Sequence, residues 1–301
     1  MNIKQFQYVL TLYREGSFSK AAYSLNISQP SLSQYIKKIE KEVGVPLFDR
    51  TNGEVRITDA GRVYIETAHK ILDLKHTMES RISDITENRA GSLIIGTSPY
   101  RAASMMPTVA KHFQLLYPGI HLVVREGTTI ELMEGMEHGE YDLAITLLPI
   151  NDQMFKWEKI TEEELILAVP SSYPVFTTRV MDDRKYPAVD ARLLDGQNFV
   201  MLTETQYMQN QCANISATYN IAFKTSAVVK SLESQIEMVK AGIGMALMPS
   251  GIERFCNDST VTFYSFTDQL PKREVVIMWR EDRKLTKVAE DLKNVIHTIQ
   301  W

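Results

Sequence analysis

The first forty-five residues alternate apolar positions at helical spacing with short polar turns. Ile3 to Glu15 places apolar residues at i, i+3, i+4 and i+7, which predicts an amphipathic helix, and Gly16 follows as a stop signal. A short alanine-bearing helix comes next. Ser28 can then cap a third helix, with Pro30 in its first turn where no backbone donor is needed. Two helices joined by a very short turn are typical of a helix-turn-helix.

The third helix separates an apolar stripe from a polar face. Leu32, Ile36 and Ile39 fall within a narrow arc at 100° per residue. A solvated face is the plain alternative for the polar side. However, hydroxyl and amide side chains can hydrogen-bond to base edges in the major groove, and lysines neutralise phosphates. Together with the tight turn before it, this face predicts DNA contacts from Ser28, Gln29, Ser31, Ser33, Gln34, Lys37 and Lys38.

A hairpin signal follows the third helix. The run VPLFDRTNGEVRIT contains two short apolar segments around Asn52-Gly53, a pair that favours a two-residue β-turn. This pattern predicts a wing. Arg50 and Arg56 lie on either side of the turn, where we expect them to reach the backbone of a duplex lying against the third helix.

A long helical pattern then runs from Arg62 to about Arg89 without Gly or Pro, with Thr58 as its cap. Alternating spacings of four and three give a narrow seam with one lysine in it, which predicts dimerisation through this helix. The alternative is an ordinary amphipathic helix packed on its own domain. The seam comprises Tyr64, Ala68, Ile71, Lys75, Met78, Ile82 and Ile85.

From Gly91 onward, strand and helix patterns alternate, which predicts an α/β fold with a parallel sheet arranged as two lobes. The expected strands are 92–98, 119–127, 141–147, 199–202, 222–226, 242–249 and 274–281. The expected helices are 103–117, 130–138, a segment after Gln206, 232–241 and 286–299.

Hydroxyl side chains follow several of these strands. In open α/β sheets, ligands bind beyond the carboxyl ends of strands, where helix N-termini present free amides. Taken singly, each hydroxyl is explained as a helix cap. Their convergence on one cleft would suit a small anionic or polar molecule, with Arg101 placed to pair with a carboxylate. The expected ligand-binding residues are Thr97, Ser98, Arg101, Thr128, Thr129, Thr203 and Ser226.

Charge, cysteine content and histidine spacing indicate the kind of partner, the cellular compartment and the cofactors to expect. The net charge is −4, but residues 1–60 hold eight Lys and Arg against six Asp and Glu, so an anionic partner is expected at the N-terminal end. Cys212 and Cys256 form no CxxC pair, which favours reduced thiols in a cytoplasmic protein. The N-terminal segment resembles neither a signal peptide nor a membrane span. The six histidines have no ligand spacing along the chain, so neither a metal nor another cofactor is expected.

Three alternatives remain open. An enzyme is disfavoured because the sequence lacks GxSxG, HExxH and GK[ST], and its G-x-G at 242–244 enters a strand instead of leaving one. A solute-binding protein would account for the two lobes alone. An architectural protein that bends DNA without regulation would account for the N-terminal part alone.

The segment SFSKAAYSLNISQPSLSQYIKKIEKEVGVPLFDRTNGEVRITDAG, residues 17–61, resembles the winged helix-turn-helix of the LysR-type transcriptional regulators. The shared features are the AA pair, the S-Q-P-S-L-S start, the E-x-x-x-G-V-P-L-F-x-R exit and the R-x-T-x-A-G end of the wing. The similarity extends over the whole chain. It implies a cytoplasmic activator or repressor that binds double-stranded promoter DNA as a dimer of dimers and responds to a small co-inducer.

The resemblance also implies a multidomain fold. A winged helix-turn-helix rich in α-helix would span 1–58 and a linker helix 59–90. An α/β effector domain of the periplasmic-binding-protein type would span 91–301, with one subdomain at about 91–162 and 268–301 and the other at about 163–267.

Carried over by position, the family's DNA contacts fall on Ser28, Gln29, Pro30, Ser31, Ser33, Gln34, Lys37, Arg50 and Arg56, and its effector contacts on Ser98, Thr128 and Thr203. This chain departs from the family at two neighbouring positions. It has Gln34 where many members have arginine, and Tyr35 where glutamine is common. Because glutamine prefers adenine edges and arginine prefers guanine, this departure leaves the operator sequence open.

Overall fold

The computed structural model describes residues 2–50, 55–85, 91–150, 153–174, 176–203, 207–256 and 259–301. The chain forms two compact units. The first comprises Met1–Asn88 together with Glu137–Glu140, and the second comprises Arg89–Met136 and Tyr141–Trp301. In the described part of the chain, no helix combines the length and the apolar character needed to cross a membrane.

The described residues of the first unit form four helices and a short antiparallel strand pair, in the order that the sequence predicts. Asn2 and Gln5 form a capping box at its N-terminal end, and Gly16 and Gly44 end two of the helices with φ angles of 59° and 87°, a backbone conformation that glycine adopts without strain. The elements are α1 Ile3–Glu15, α2 Phe18–Ser24, α3 Gln29–Val43, β1 Phe48–Asp49, β2 Arg56–Ile57 and α4 Asp59–Ile85.

The core of the first unit takes in the beginning of the long helix α4. Tyr64 and Ala68 are buried there with residues of α1 and α3, and Ile71 packs against the same cluster. These positions therefore serve the helix's own unit, and the expectation that the whole seam faces another chain is wrong for them. Farther along α4, Met78 and Ile82 are 54% and 52% exposed. The side chain of Ile85 lies outside the described residues.

The second unit contains the strands and helices of the predicted α/β region. Its helices are α5 Pro99–Ser104, α6 Met106–Leu116, α7 Thr129–Glu137, α8 Tyr207–Tyr219, α9 Leu232–Lys240 and α10 Lys287–Thr298. Its strands are β3 Gly91–Thr97, β4 Ile120–Glu126, β5 Leu143–Leu147, β6 Phe155–Glu163, β7 Leu165–Pro170, β8 Thr178–Arg179, β9 Ala188–Val189, β10 Asn198–Leu202, β11 Lys224–Val229, β12 Ala246–Pro249, β13 Val261–Phe266 and β14 Arg273–Arg280.

These strands form mixed sheets. One sheet has the order β4-β3-β5-β14-β6, and another has the order β12-β7-β13-β9-β8, while β10 and β11 form a parallel pair. Strand β3 is parallel to β4 and β5, as predicted, but β14 runs antiparallel to β5 and β6. The expectation of a parallel sheet is wrong for β14 and also for β12, which runs antiparallel to β7. Strand β13, which is not among the predicted strands, is antiparallel to β7 as well.

The helix predicted over 103–117 is two helices, α5 and α6, separated at Met105. Pro107 stands in the first turn of α6, and because proline lacks an amide hydrogen it cannot continue the hydrogen bonding of the preceding helix. The break places the short helix α5 directly after β3, at the edge of the sheet where the candidate ligand residues lie.

Candidate DNA interface and ligand cavity

The polar face of α3 is open to solvent. Leu32, Ile36 and Ile39 are buried in the core of the first unit, so the opposite face of the helix is turned outward. Ser31 and Ser33 are half-buried at its border. Exposed on this face are Ser28, Gln29, Pro30, Gln34, Lys37 and Lys38.

The hydroxyl groups at the start of α3 already have partners. The Ser28 Oγ accepts a hydrogen bond from the Ser31 amide at 3.3 Å and lies 2.7 Å from the Ser31 Oγ. Ser28 therefore fixes the first turn of α3 as its cap. Gln34, Lys37 and Lys38 lie one to three turns farther along, with long side chains that can reach base edges or phosphates.

Tyr35, where the chain departs from the family pattern, packs against Tyr8 of α1. Its ring centroid lies 5.0 Å from that of Tyr8 in a tilted arrangement, and 45% of Tyr35 remains exposed. An aromatic pair of this kind adds packing between helices. Tyr35 thus acts in the packing of the first unit, which the family comparison by position does not reveal.

Glu40 organises the chain between α3 and the wing. One carboxylate oxygen accepts hydrogen bonds from the amides of Leu47 and Phe48 at 3.0 and 3.1 Å, and the other accepts from the Arg50 guanidinium at 2.8 Å. Arg50 also lies over the Phe18 ring, 5.0 Å from its centroid. The sequence pattern placed Glu40 only at the flank of α3. Its three hydrogen-bond donors lie beyond Gly44, and the periodicity of a helix gives no information on contacts outside that helix.

The base of the wing is present as an antiparallel strand pair. Phe48 pairs with Ile57 and Asp49 with Arg56, which is exposed. The predicted turn at Asn52-Gly53 lies outside the described residues. Because Arg50 is held by Glu40, part of its hydrogen-bonding capacity is used within the protein, and a phosphate contact from Arg50 or Arg56 stays a prediction.

A cavity of about 450 Å³ lies in the second unit. It contains five of the seven predicted ligand residues: Ser98, Arg101, Thr128, Thr129 and Thr203. Loops after β3, β4, β10 and β11 supply most of the wall, so the strand ends predicted from the sequence do meet. Further lining residues are Glu126, Glu131, Met208, Lys230, Ser231, Glu233 and Arg273.

Helix caps form the polar part of this wall. The Ser98 Oγ accepts from the Arg101 amide at 3.3 Å at the start of α5. At α7, the Thr128 Oγ1 accepts from the Glu131 amide at 3.3 Å while Glu131 accepts from the Thr128 amide at 2.7 Å, which is a capping box. Ser231 caps α9 by accepting from Ser234. The N-terminal ends of three helices therefore converge on one cavity.

Two predicted residues are placed elsewhere. Thr97 is fully buried, and its Oγ1 donates to the Ile145 carbonyl at 3.2 Å, so it joins β3 to β5. Ser226 is exposed within β11, which continues to Val229 instead of ending near 226. The expectation that these two residues line the cleft is therefore not met. Ser231, which follows the true end of β11, occupies the place predicted for Ser226.

Arg101 is one member of a buried ion triad. Its guanidinium donates to the Glu163 carboxylate at 2.9 Å, and Arg273 donates to the same carboxylate oxygen. Burial alone would raise the pKa of Glu163, but the two guanidiniums outweigh it and hold that pKa below its usual value. Arg273 also contacts the Met208 sulfur. The cation expected to meet a ligand carboxylate thus already has a protein carboxylate as its partner.

Histidines that are distant in sequence lie together in the first unit. The rings of His69 and His138 are stacked with centroids 3.7 Å apart, and His69 Nδ1 lies 3.9 Å from a carboxylate oxygen of Glu140. Among the described residues, these three are a group whose donor atoms could hold a metal ion. A search for ligand spacing along the sequence misses such a group, because it finds only residues that are close together in the chain.

Comparison with known families agrees with both parts of the chain. A family model described as a bacterial regulatory helix-turn-helix protein of the lysR family matches residues 3–62, and one described as the LysR substrate binding domain matches residues 86–299. The chain belongs to the LysR family of transcriptional regulators. As a member of the LysR family, it combines a DNA-binding domain with an effector-binding domain, and the family consists of regulators that associate into oligomers.

Individual relatives of this LysR-family regulator cover nearly its full length. It is 30% identical over 293 residues to the HTH-type transcriptional regulator YwbI of Bacillus subtilis, covering 96% of this chain and 93% of that protein. It is 26% identical over 307 residues to a hydrogen peroxide-inducible genes activator of Haemophilus influenzae, covering 98% and 99%. The structure of a full-length OxyR variant from Pseudomonas aeruginosa matches with a TM-score of 0.66 at 25% identity, covering 98% and 94%.

Proposed function

We propose that this LysR-family regulator contacts promoter DNA through the exposed face of α3 and binds a small anionic or polar co-inducer in the 450 Å³ cavity of its second unit. The observation that carries the effector proposal is the convergence of the capped starts of α5, α7 and α9 on that cavity. Helix N-termini present amide hydrogens and a partial positive charge, which together favour an anion.

The charges around the cavity narrow the class of co-inducer. Arg101, Lys230 and Arg273 are cationic, with Arg101 and Arg273 sharing the Glu163 carboxylate, whereas Glu126, Glu131 and Glu233 are acidic. A ligand with several like charges would meet repulsion from one of these sets. A small carboxylate that also carries hydroxyl or amino groups is therefore the best match, with its carboxylate at the helix starts and its donor groups facing the glutamates.

Peroxide sensing by a thiol is not supported by the chemistry of Cys212. This residue is buried on α8, and burial raises the pKa of its thiol to about 12. The thiolate is the reactive form of cysteine, and a thiol that stays protonated at neutral pH reacts slowly with oxidants. The similarity to a hydrogen peroxide-inducible activator therefore supports a regulator of the same family, and Cys212 gives no support for that signal.

Binding without turnover fits the lining of the cavity. The lining residues that the structure describes include neither histidine nor cysteine, the usual general base and the most nucleophilic side chain. Its hydroxyl groups at Ser98, Thr128 and Ser231 are already acceptors for helix amides. These features support a binding site that releases its ligand unchanged. A cytoplasmic location and a lack of catalytic activity belong to this proposal.

Regulation requires the co-inducer to bind one arrangement of the protein more tightly than another. The same differential affinity then appears as a changed affinity for DNA, because coupling between two sites is reciprocal. We place dimer contacts on the exposed part of α4 near Met78 and Ile82, and assembly of two such dimers would carry four DNA-binding heads. The division into domains at 1–58, 59–90 and 91–301 belongs to this proposal.

The test has two stages. Genomic DNA fragments selected on the purified full-length chain would identify an operator, and a thermal-shift screen of small hydroxy and amino carboxylates would identify ligands that stabilise the protein. We expect Thr128→Ala to abolish the shift while operator affinity is retained. Thr108→Ala, an exposed threonine on α6 outside the cavity lining, is the control and should keep the shift. A ligand whose effect survives Thr128→Ala and Ser231→Ala would place the effector site elsewhere.

A further inference from the structure

One side-chain cluster in the first unit has no role in the function proposed above. His69 lies on α4, and His138 and Glu140 belong to the short segment Glu137–Glu140, which is part of the same compact unit. One donor atom of each residue lies within 4.8 Å of the others. His69 is buried, His138 is half-buried and Glu140 is exposed, so the cluster has a closed side and an open side.

We propose that His69, His138 and Glu140 bind a divalent transition-metal ion, with Zn²⁺ as the best match. Two imidazoles and one carboxylate are a donor set that zinc accepts, and the fourth position is left to water or another ligand. Imidazole nitrogen also suits Cu²⁺, Ni²⁺ and Fe²⁺, whereas Mg²⁺ and Ca²⁺ prefer sites made of oxygen donors.

The donor atoms lie near one another, and the stacked His138 ring must turn so that its nitrogen points at the same ion as the other donors. Zinc bonds of about 2.0–2.2 Å in a tetrahedral site separate neighbouring donor atoms by about 3.3–3.5 Å. The His69 Nδ1 and the Glu140 carboxylate are already 3.9 Å apart. Rotation of Glu140, which is exposed, and of His138, which is half-buried, can bring their donors together without moving the buried His69.

The cluster has a further acidic neighbour on α4. Asp73 lies four residues after His69 on α4 and approaches Gly139, which adds a second carboxylate beside the cluster.

Gly139 lets the segment approach α4 closely enough to form the cluster. Its φ is +69°, and a Cβ at this position would lie 2.0 Å from the Asp73 carboxylate oxygen. Any larger residue would meet both the strained backbone and this contact. The glycine between His138 and Glu140 therefore allows both of their side chains to reach His69. Stacking of the two histidine rings alone would need only His138 at this place, and not Glu140.

The experiment is titration of the full-length chain with ZnCl₂ by isothermal calorimetry, after removal of metals with a chelator. We expect one ion per chain. His138→Gln and Glu140→Gln should each weaken binding at least about ten-fold, since even residues that only orient metal ligands change affinity by that factor or more. Co²⁺ titrated into the same protein should give the visible absorption of a nitrogen- and oxygen-ligated site, and that absorption should be lost in His69→Gln.

The control is His121→Gln, which removes an exposed histidine from β4. It should bind zinc as the unaltered chain does. If His69→Gln fails to fold because the residue is buried, the His138 and Glu140 variants decide the result, with far-UV circular dichroism as the check on folding. Unchanged affinity in both of those variants, a loss of equal size in His121→Gln, or no binding at millimolar zinc would each overturn the proposal. Operator binding is a separate measurement, so this result is independent of the proposed function.

Discussion

The Glu40 carboxylate joins α3 to the wing through Arg50, at 2.8 Å, and through the amides of Leu47 and Phe48. Removing this acceptor leaves two part-buried amides and a guanidinium without their partner. Hydrogen bonds to charged groups contribute about 1.5–3 kcal/mol, and an unmade one costs the desolvation of its donor.

We therefore expect Glu40→Ala to accelerate hydrogen exchange at the Leu47 and Phe48 amides by at least about ten-fold, as measured by mass spectrometry or NMR on the full chain. Glu40→Gln keeps one acceptor oxygen for the amides and should show a smaller increase. Equal protection in the alanine variant and the unaltered chain would mean that the loop is held by other contacts.

The two lysines of α3 are expected to act on phosphates. Lys37 and Lys38 are exposed on the polar face of the helix. Each Lys→Ala variant should weaken binding to operator and non-operator DNA alike and reduce the slope of log affinity against log salt by about 1. Fluorescence anisotropy at several salt concentrations measures both quantities. Lys111→Ala, an exposed lysine on α6, is the control and should leave the slope unchanged. A change confined to sequence preference would assign Lys38 to base contact instead.

Gln34 is expected to act on sequence preference. It is exposed on the same face, and glutamine can bond adenine through two groups at once. Gln34→Ala should relax the choice of base at one operator position, at a cost of about 1–3 kcal/mol for the preferred base, while the salt slope stays the same. Selection from a randomised operator library would measure this. A uniform loss across all sequences would contradict it.

The ion triad predicts how the stability of the second unit depends on pH. The pKa of Glu163 is held below its usual value in the folded protein, so its contribution is present above the unfolded pKa and is lost as pH falls through the folded pKa. Glu163→Gln removes the carboxylate charge that two buried guanidiniums share and should lower the free energy of unfolding by about 3–5 kcal/mol at neutral pH. This difference should shrink as the solution is acidified below about pH 4.

Urea unfolding followed by tryptophan fluorescence suits this measurement, since Trp157 and Trp279 both lie in the second unit. The control is Glu162→Gln, the neighbouring residue on β6, whose side chain is exposed and paired with surface lysines. Exposed pairs contribute about 1 kcal/mol or less, so this variant should unfold nearly as the unaltered chain does. Equal losses of unfolding free energy in the two variants would show that the buried triad contributes no more to stability than an exposed ion pair.

The exposed part of α4 is expected to hold two chains together. Met78 is 54% exposed there and Leu74 is 67% exposed. Met78→Glu would bury a charge in a dimer contact and should shift the full-length chain toward the monomer, as measured by size-exclusion chromatography with light scattering. Val180→Glu changes an apolar residue that is 90% exposed outside α4 and should leave the mass unchanged. A dimer that survives both Met78→Glu and Leu74→Glu would place the contact elsewhere.

Local chemistry explains what could be predicted from the sequence. Ser28 and Gly16 act within one helical turn of their position, and the structure confirms both as helix ends. Ser98 and Thr128 lie in one cavity because they follow β3 and β4, neighbouring parallel strands whose carboxyl ends meet at one sheet edge, and Thr203 joins them from the end of β10 in a separate strand pair. Ser226 fails for a related reason: β11 continues to Val229, and an error of a few residues in a strand boundary removes a side chain from the site.

Contacts between residues that are distant in the sequence could not be predicted from such local patterns. Glu163 lies on β6, a strand absent from the predictions, and it faces Arg101 and Arg273 from elements on either side in sequence. His69 and His138 meet through a segment between α7 and β5. Such contacts depend on tertiary packing, which no periodicity within one element reports.

The capped helix starts also restrict how this cavity can change over evolution. Ser98, Thr128 and Ser231 each accept a helix amide while facing the ligand space, so replacing one to admit a new co-inducer also removes a cap, at about 1 kcal/mol of stability. Exchange between serine and threonine avoids that loss. New ligand preference is therefore expected to arise first at Glu126, Lys230 and Glu233, whose side chains line the same space without serving as caps.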